Sequence, residues 1–358
     1  MSVDGNGSNP RTLNLEDIAE KAGVSRSTVS RVINNEPHVS KKTRDKVMAV
    51  IQQVGFVPNP AARMLVTQRT RTIGVVISQS FGAIFEDSFY FPTLLQGIAD
   101  VTHVQDYAML LWVQESSEDA ERFYSRILQN RLMDGLVIAS TTDKTIPFIQ
   151  RLVELQTPFV MVERPPLHTD RISYVGVDNY QAARDAVAHL ISLGRRRIAT
   201  ITGSLVNMDG QDRLAGYRAA LHDFGMPIQN EMIVDGYFRR TPGYIAMKQL
   251  LQYQPDAVFI GSDQSALGAL DALNELGVRV PDDIALIGFD DLPSVRRTTP
   301  PLTTVRQPIG DKGAQATTLL IDMIEERSTS VRQILLPTQL VIRSSCGAML
   351  RSRPEAAS

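Results

Sequence analysis

The sequence predicts a small all-α head followed by a larger α/β body of parallel sheets covered by helices on both faces. Three observations carry that expectation. Basic charge gathers in the first seventy or so residues. Helix-stop and helix-start signals lie almost back to back there. From Thr72 onward, short β-rich apolar runs alternate with helical stretches.

A chain of 358 residues has room for two or three domains. Hydrophobic content of 43% and charged content of 21% suit a packed globular protein rather than a disordered one. The single cysteine, Cys346, excludes an intrachain disulfide and a cysteine-based metal cluster, and reads as a small buried filler. The five histidines (His38, His103, His168, His189, His222) show no metal-ligand spacing, so neither a metal nor a cofactor is expected. No stretch reaches the length of a membrane span, and the N-terminus lacks the apolar core of a signal peptide. A cytoplasmic protein is therefore expected.

The net charge of −2 hides an uneven distribution. Residues 1–71 hold eleven Lys/Arg and six acidic residues, a balance of +5 that leaves −7 on residues 72–358. A basic head on an acidic body points to a polyanionic partner for the head.

The head divides into helices by its own punctuation. Residues 13–22 read as a short amphipathic helix that Gly23 ends as a left-handed cap. Ser25 can cap a second helix from Arg26 to Asn34. Two helices joined across a glycine turn form a helix-turn-helix. Val24, Val29 and Val32 are spaced to pack the second helix on the first, leaving Arg26, Ser27 and Arg31 on its other side. A third helix starts after Ser40 and runs to Val54, with Val47, Val50, Ile51 and Val54 as one apolar stripe and Gly55 as its end.

In the body, strands are predicted at 73–77, 108–113, 135–139, 159–162, 174–177, 198–202, 233–235, 257–260 and 284–287. Helical segments separate them, the pattern of parallel sheets. No G-x-G-x-x-G fingerprint or P-loop occurs, which argues against dinucleotide and triphosphate sites. Trp112, inside an apolar strand, reads as core.

The run Leu15-Glu16-Asp17-Ile18-Ala19-Glu20-Lys21-Ala22-Gly23-Val24-Ser25, then Thr28 to Asn34, Val39-Ser40, Lys42-Thr43-Arg44 and Gly55 to Leu65, strongly resembles the lactose-repressor (LacI/GalR) family of bacterial transcription regulators. The resemblance extends to about Arg343. It implies a helix-turn-helix head plus hinge helix, followed by a two-lobed α/β domain like the periplasmic sugar-binding proteins, with doubly wound parallel sheets. The resulting boundaries are a disordered N-terminus at 1–10, the head at 11–58, the hinge and linker at 59–71, the effector and dimerisation domain at 72–345, and a flexible tail at 346–358. Three crossovers near Val175, Gln307 and Ile334 give an N-lobe of about 72–174 and 308–334, and a C-lobe of about 175–306 and 335–345.

The resemblance lays the second helix of the head in the major groove. Arg26 and Ser27 then hold the positions that vary most with operator sequence, and Arg31 is a third base-facing candidate. A guanidinium can donate two parallel bonds to guanine N7 and O6, which supports both arginines independently. Ser25, Thr28, Asn34, Ser40 and Lys42 suit phosphates, which fix register, and His38 matches a position near the backbone. Asn59 begins the hinge helix, too short to be stable alone. Ala62 and Leu65 match its minor-groove positions, Leu65 as an apolar wedge that kinks the central step. The expected partner is palindromic double-stranded operator DNA bound by a homodimer.

In open α/β sheets, ligands bind beyond the carboxyl ends of the strands. That rule and the resemblance together nominate Ser78 and Ser80 after the first strand, Phe89 and Phe91 on the next loop, and Glu163, Arg213, Phe238, Asp263 and Asp290. Asp209 and Gln211 are weaker candidates, and Asp291 is read as a helix cap. Ser262 stands where the family often has Asn. Carboxylates, one arginine and aromatic faces suit a polyhydroxylated neutral sugar. The expected protein is therefore no enzyme but a repressor whose operator affinity a sugar or glycoside controls as inducer. The alternative on the same scaffold is a corepressor such as a purine or sugar phosphate. A glycosidase, which also needs paired carboxyls, would leave the DNA-binding head unexplained. The end of the chain carries no leucine-heptad helix, which favours a dimer.

Overall fold

The computed structural model describes residues 13–33, 38–56, 69–78, 84, 89–114, 116–142, 145–326 and 330–348. The chain forms two compact units, residues 1–70 and 71–358.

The head contains α1 (Leu15–Ala22), α2 (Arg26–Ile33) and α3 (Lys41–Val54). Asn14 caps α1 in a reciprocal box: its side chain accepts from the Asp17 backbone N–H, and the Asp17 carboxylate accepts from the Asn14 N–H. Gly23 ends α1 at φ 59°, a conformation a side chain would resist. Only two residues separate this cap from α2, because the Ser25 hydroxyl already accepts from the Thr28 N–H at 3.2 Å. Ser40 caps α3 in the same way through the Thr43 N–H. Ile18, Ala22, Val29, Val32 and Val47 meet in one small core, with Val24, Val50, Ile51 and Val54 packed around it. Each fully buried aliphatic side chain contributes about 1.5–3 kcal/mol, so few residues suffice to hold three short helices.

The body holds two six-stranded sheets. The first contains β1 (Thr72–Ile77), β2 (Ala108–Val113), β3 (Gly135–Ala139), β4 (Phe159–Val162), β5 (Ser173–Val177) and a strand from near the chain's end, Gln333–Leu336. All its pairings are parallel. The second contains β6 (Ile198–Thr202), β7 (Ile233–Asp235), β8 (Ala257–Ile260), β9 (Ala285–Asp290), β10 (Thr303–Arg306) and Gln339–Val341. The two late strands are β11 and β12. The orders are β11-β5-β4-β3-β1-β2 and β12-β10-β9-β8-β6-β7.

Helices fill the connections: α4 (Tyr90–Val104), α5 (Ser117–Phe123), α6 (Ile146–Glu154), α7 (Asn179–Ser192), α8 (Met208–Asp223), α9 (Arg240–Leu250), α10 (Asp263–Glu275) and α11 (Ile309–Glu326). Each sheet carries a hydrophobic core on both faces. Helix α4 packs tightly against α11. A Cβ added at Gly97 would stand 2.0 Å from the Gly310 carbonyl oxygen, so only glycine permits that approach.

Three details depart from the sequence reading. β10, β11 and β12 are additional strands, and β12 runs antiparallel to β10, so the second sheet is mixed. β9 continues past Ile287 to Asp290. The crossings also move. β5 lies wholly in the first sheet, so the chain leaves it after Val177 rather than near Val175. It returns at Gln307 and crosses last between Leu336 and Gln339 rather than at Ile334, because Ile334 pairs with Val175. Cys346 is buried in the second lobe's core. Trp112 is half-buried, its ring 5.1 Å from that of Phe123. No described helix is long and apolar enough to cross a membrane.

Candidate functional site

Two places in the chain carry the residues that the sequence singles out. In the head, Ser25, Arg26, Ser27, Arg31, His38, Ser40 and Lys42 are exposed, and Thr28 is half-buried. Val29 and Val32 bury the opposite side of α2. The small hydroxyls are pre-arranged: Ser25 Oγ lies 2.8 Å from both Ser27 Oγ and Thr28 Oγ1. Arg26 Nε stands 2.9 Å from Glu16 Oε1, with both side chains largely in solvent. Asn34, Asn59, Ala62, Leu65 and, in the body, Ser80 lie outside the described residues.

In the body, the carboxyl ends of both sheets surround a cavity of about 790 Å³. That is ample for a small-molecule ligand. Ser140 and Glu163 follow β3 and β4. Ser262 follows β8, and Asp290 ends β9. Phe89, Tyr90 and Phe91 contribute from the start of α4, Asn207, Asp209 and Arg213 from α8 and its N-terminus, and Tyr237 and Phe238 from the turn after β7.

The backbone departs from the strands where the carboxylates sit. Glu163 has φ 107° and Asp290 φ 126°, while Tyr237 and Phe238 have φ 53° and 57°. Non-glycine residues held there cost on the order of 1–3 kcal/mol each, and such outliers gather at functional sites. Gly203 makes room for Phe238, since a Cβ there would lie 1.9 Å from the ring.

Arg213 is the most constrained group of the wall. It is only 4% exposed. Its Nε donates to Asn179 Oδ1 at 2.8 Å and its Nη1 to the Gly261 carbonyl at 2.6 Å. Asp209 and Asp290 lie 3.8 Å from its nitrogens, and its guanidinium stands 5.5 Å from the Phe238 ring centroid. Facing it is Glu163, whose Oε2 is buried without a hydrogen-bond partner among the described residues. Burial first, then the nearby Asp209, push the Glu163 carboxyl up to about 8 against the pull of Lys312 and Arg213.

The structure brings Phe89, Phe91, Glu163, Arg213, Phe238 and Asp290 together on one cavity, with Asp209 beside them. Asp263 and Ser78 do not join them. Asp263 has no exposed surface. Its carboxylate accepts from the Thr304 hydroxyl at 2.7 Å and the Leu292 N–H at 2.8 Å, tying α10 to the sheet beneath it. Ser78 is buried at the end of β1. Gln211 faces a separate hollow and donates to the Leu205 carbonyl. Asp291 caps no helix; its carboxylate collects Arg343, Arg306 and Arg296.

Sequence reading missed Tyr90, Ser140, Asn207 and Tyr237. It also missed Lys312, fully buried behind the wall. Tyr90 was findable from its place between two nominated phenylalanines.

Comparison with known proteins agrees with this architecture. Residues 14–59 match the bacterial regulatory proteins of the lacI family, and residues 187–346 match a periplasmic binding protein-like domain. The HTH-type transcriptional regulator CelR of Thermobifida fusca is 38% identical over 334 residues, 92% of this chain and 97% of that protein. Catabolite control protein A of Priestia megaterium is 32% identical, over 92% of this chain and 98% of its own. Among solved structures, a CelR–cellobiose complex superposes with a TM-score of 0.73 at 35% identity, covering 93% of this chain and 99% of that one. The lac repressor dimer bound to operator and the anti-inducer ONPF superposes with a TM-score of 0.78 at 28% identity, covering 94% and 99%. With a capped helix-turn-helix, two sheets facing a ligand-sized cavity and relatives matched along nine-tenths of its length, the chain belongs to the lacI family of bacterial transcription regulators.

Proposed function

We propose that this regulator is a repressor whose hold on its operator is released by a neutral sugar of about disaccharide size. The observation that carries the reading is the cavity wall. Glu163 and Asp290 offer acceptors to hydroxyl groups, Arg213 is fixed as a donor, and Phe89 and Phe238 supply apolar ring faces. A CelR relative, similar along almost the whole chain, is described in complex with cellobiose, which supports the same ligand class here.

In this reading Arg26, Ser27 and Arg31 face bases. Ser25, Thr28, Asn34, His38, Ser40, Lys42 and Asn59 hold the backbone, and Ala62 and Leu65 enter the minor groove. The protein acts as a homodimer in the cytoplasm on a palindromic site and performs no catalysis. The head spans 11–58, the hinge 59–71 and the sensing domain 72–345. The sugar shifts the equilibrium only by its difference in affinity for the two states, and operator DNA must weaken the sugar by the same factor.

The test is a thermal-shift and operator-release screen of the full chain. The panel is cellobiose, other disaccharides, a sugar phosphate and purines. Stabilisation and operator release by a neutral disaccharide is the expected result. Stabilisation by a phosphate or purine alone, with tighter operator binding, would replace inducer with corepressor.

A further inference from the structure

A lysine without exposed surface lies just behind the cavity. Helix α11 buries Ile309, Gly313, Ala316 and Leu320 along one face, and Lys312 stands on that same face at 0% exposure. Packing alone would favour an apolar side chain there, because taking an ammonium out of water is costly. The cost is met by specific partners. Lys312 Nζ donates to Gln307 Oε1 at 2.6 Å and to Tyr90 Oη at 2.9 Å. Gln307 Nε2 in turn donates to Asp290 Oδ1 at 2.5 Å.

The chain of bonds spans both lobes. Asp290 ends β9 in the second sheet. Gln307 is the crossing residue between β10 and α11. Lys312 and Tyr90 belong to helices that pack on the first sheet. Both ends of the chain, Asp290 and Tyr90, lie on the cavity wall, and Lys312 itself does not. We infer that Lys312 is a positioning residue for the effector response, holding Asp290 of one lobe and Tyr90 of the other in register through Gln307. The inference rests on the sugar reading of the cavity.

The charges around Lys312 give it a second consequence. Burial lowers its pKa, and Asp209, Glu163 and Asp290 raise it, while Arg213 opposes them. Tyr90, also facing it, is held neutral by burial and the same carboxylates. Lys312 is in turn the largest of the groups that pull Glu163 down. Sugar hydroxyls donate to an ionised carboxylate, so affinity should rise with pH as Glu163 loses its proton. Without Lys312 that rise moves to higher pH.

The test measures cellobiose binding by calorimetry across pH, together with operator affinity, for the wild type and Lys312→Met in the full chain. The expected result is operator binding unchanged without sugar, cellobiose binding about 10- to 100-fold weaker, as for a lost charged hydrogen bond, and an alkaline shift of the pH profile. Unchanged affinity and profile would overturn the inference, because a purely structural lysine moves neither. If Lys312→Met does not unfold cooperatively, Lys312→Gln, which keeps a donor toward Gln307, is read by the same criteria. A wild-type chain that ignores cellobiose but answers a phosphate overturns the sugar reading instead, and the inference with it.

Discussion

The Arg213 guanidinium lies 3.7 Å from the centroid of the Phe289 ring, so the side chain that faces the cavity is clamped from behind by the core of its own sheet. Planarity matters here. A lysine in its place could not stack on the ring and donate to Asn179 and Gly261 together. Arg213→Lys should therefore cost about 1–3 kcal/mol of stability through the acceptors left unpaired. It should also abolish sugar-dependent operator release. Thermal unfolding and a release assay check the two effects separately.

Glu163 gives the stability of the protein a pH signature. Its folded carboxyl titrates near 8 against an ordinary value of 4.5, so between these values the folded state holds a proton that the unfolded state has lost. Stability must fall as pH rises through that window and level off above it. Glu163→Gln removes the titration. Its melting temperature should decline less than that of the wild type from pH 4.5 to 8, measured at constant ionic strength.

Asp291 has the opposite sign. Burial alone would raise its carboxyl, but hydrogen bonds from Arg343 and Arg306 outweigh burial and hold it below the ordinary value of 3.8. Its contribution is complete above that value and disappears as pH falls below the depressed one. Asp291→Asn should cost toward the lower end of the about 3–5 kcal/mol typical of a broken buried pair, since two of its arginine partners can return to water. Urea unfolding at neutral pH measures the loss, and the difference from the wild type should shrink in acid.

In the head, Arg26 Nε is paired with Glu16, a carboxylate that competes with DNA for the guanidinium in the proposed reading. Glu16→Gln should leave the head folded and raise operator affinity. Arg26→Ala should cost about 1–3 kcal/mol and relax preference at one base pair, whereas Lys42→Ala should weaken all sequences alike and reduce the salt slope by about 1. Titrations against operator and scrambled DNA at several salt concentrations separate these outcomes.

Much of this was written in local signals. Gly23, Ser25, Ser40 and Gly55 mark the ends of the head's helices because capping is a property of one or two residues. The central strands are continuous apolar runs, so they were legible too. β10 begins Thr303-Thr304, which shortens its apolar run, and β11 and β12, though apolar, are only four and three residues long and half-exposed, so none of them stands out as a buried strand. At the site, the strand-end rule found Glu163 and Asp290. It failed at Asp263, because Ser262 caps α10 and turns the next residue down onto Thr304. Lys312 escaped notice since a lysine on a helix ordinarily reads as solvated charge. Only the tertiary contacts with Gln307 and Tyr90 distinguish it.

The order of the strands also sets a timetable for synthesis. The first sheet uses β1 to β5, finished by Val177, yet its β11 edge arrives only at residues 333–336, and α11, which covers its core, at 309–326. The first lobe therefore cannot close until the chain has been made past Leu336. Until then, Tyr174 and Val175 present an unpaired edge, the kind of surface that recruits other chains. Expression of pieces ending before Ile309 should yield aggregates in place of a soluble first lobe.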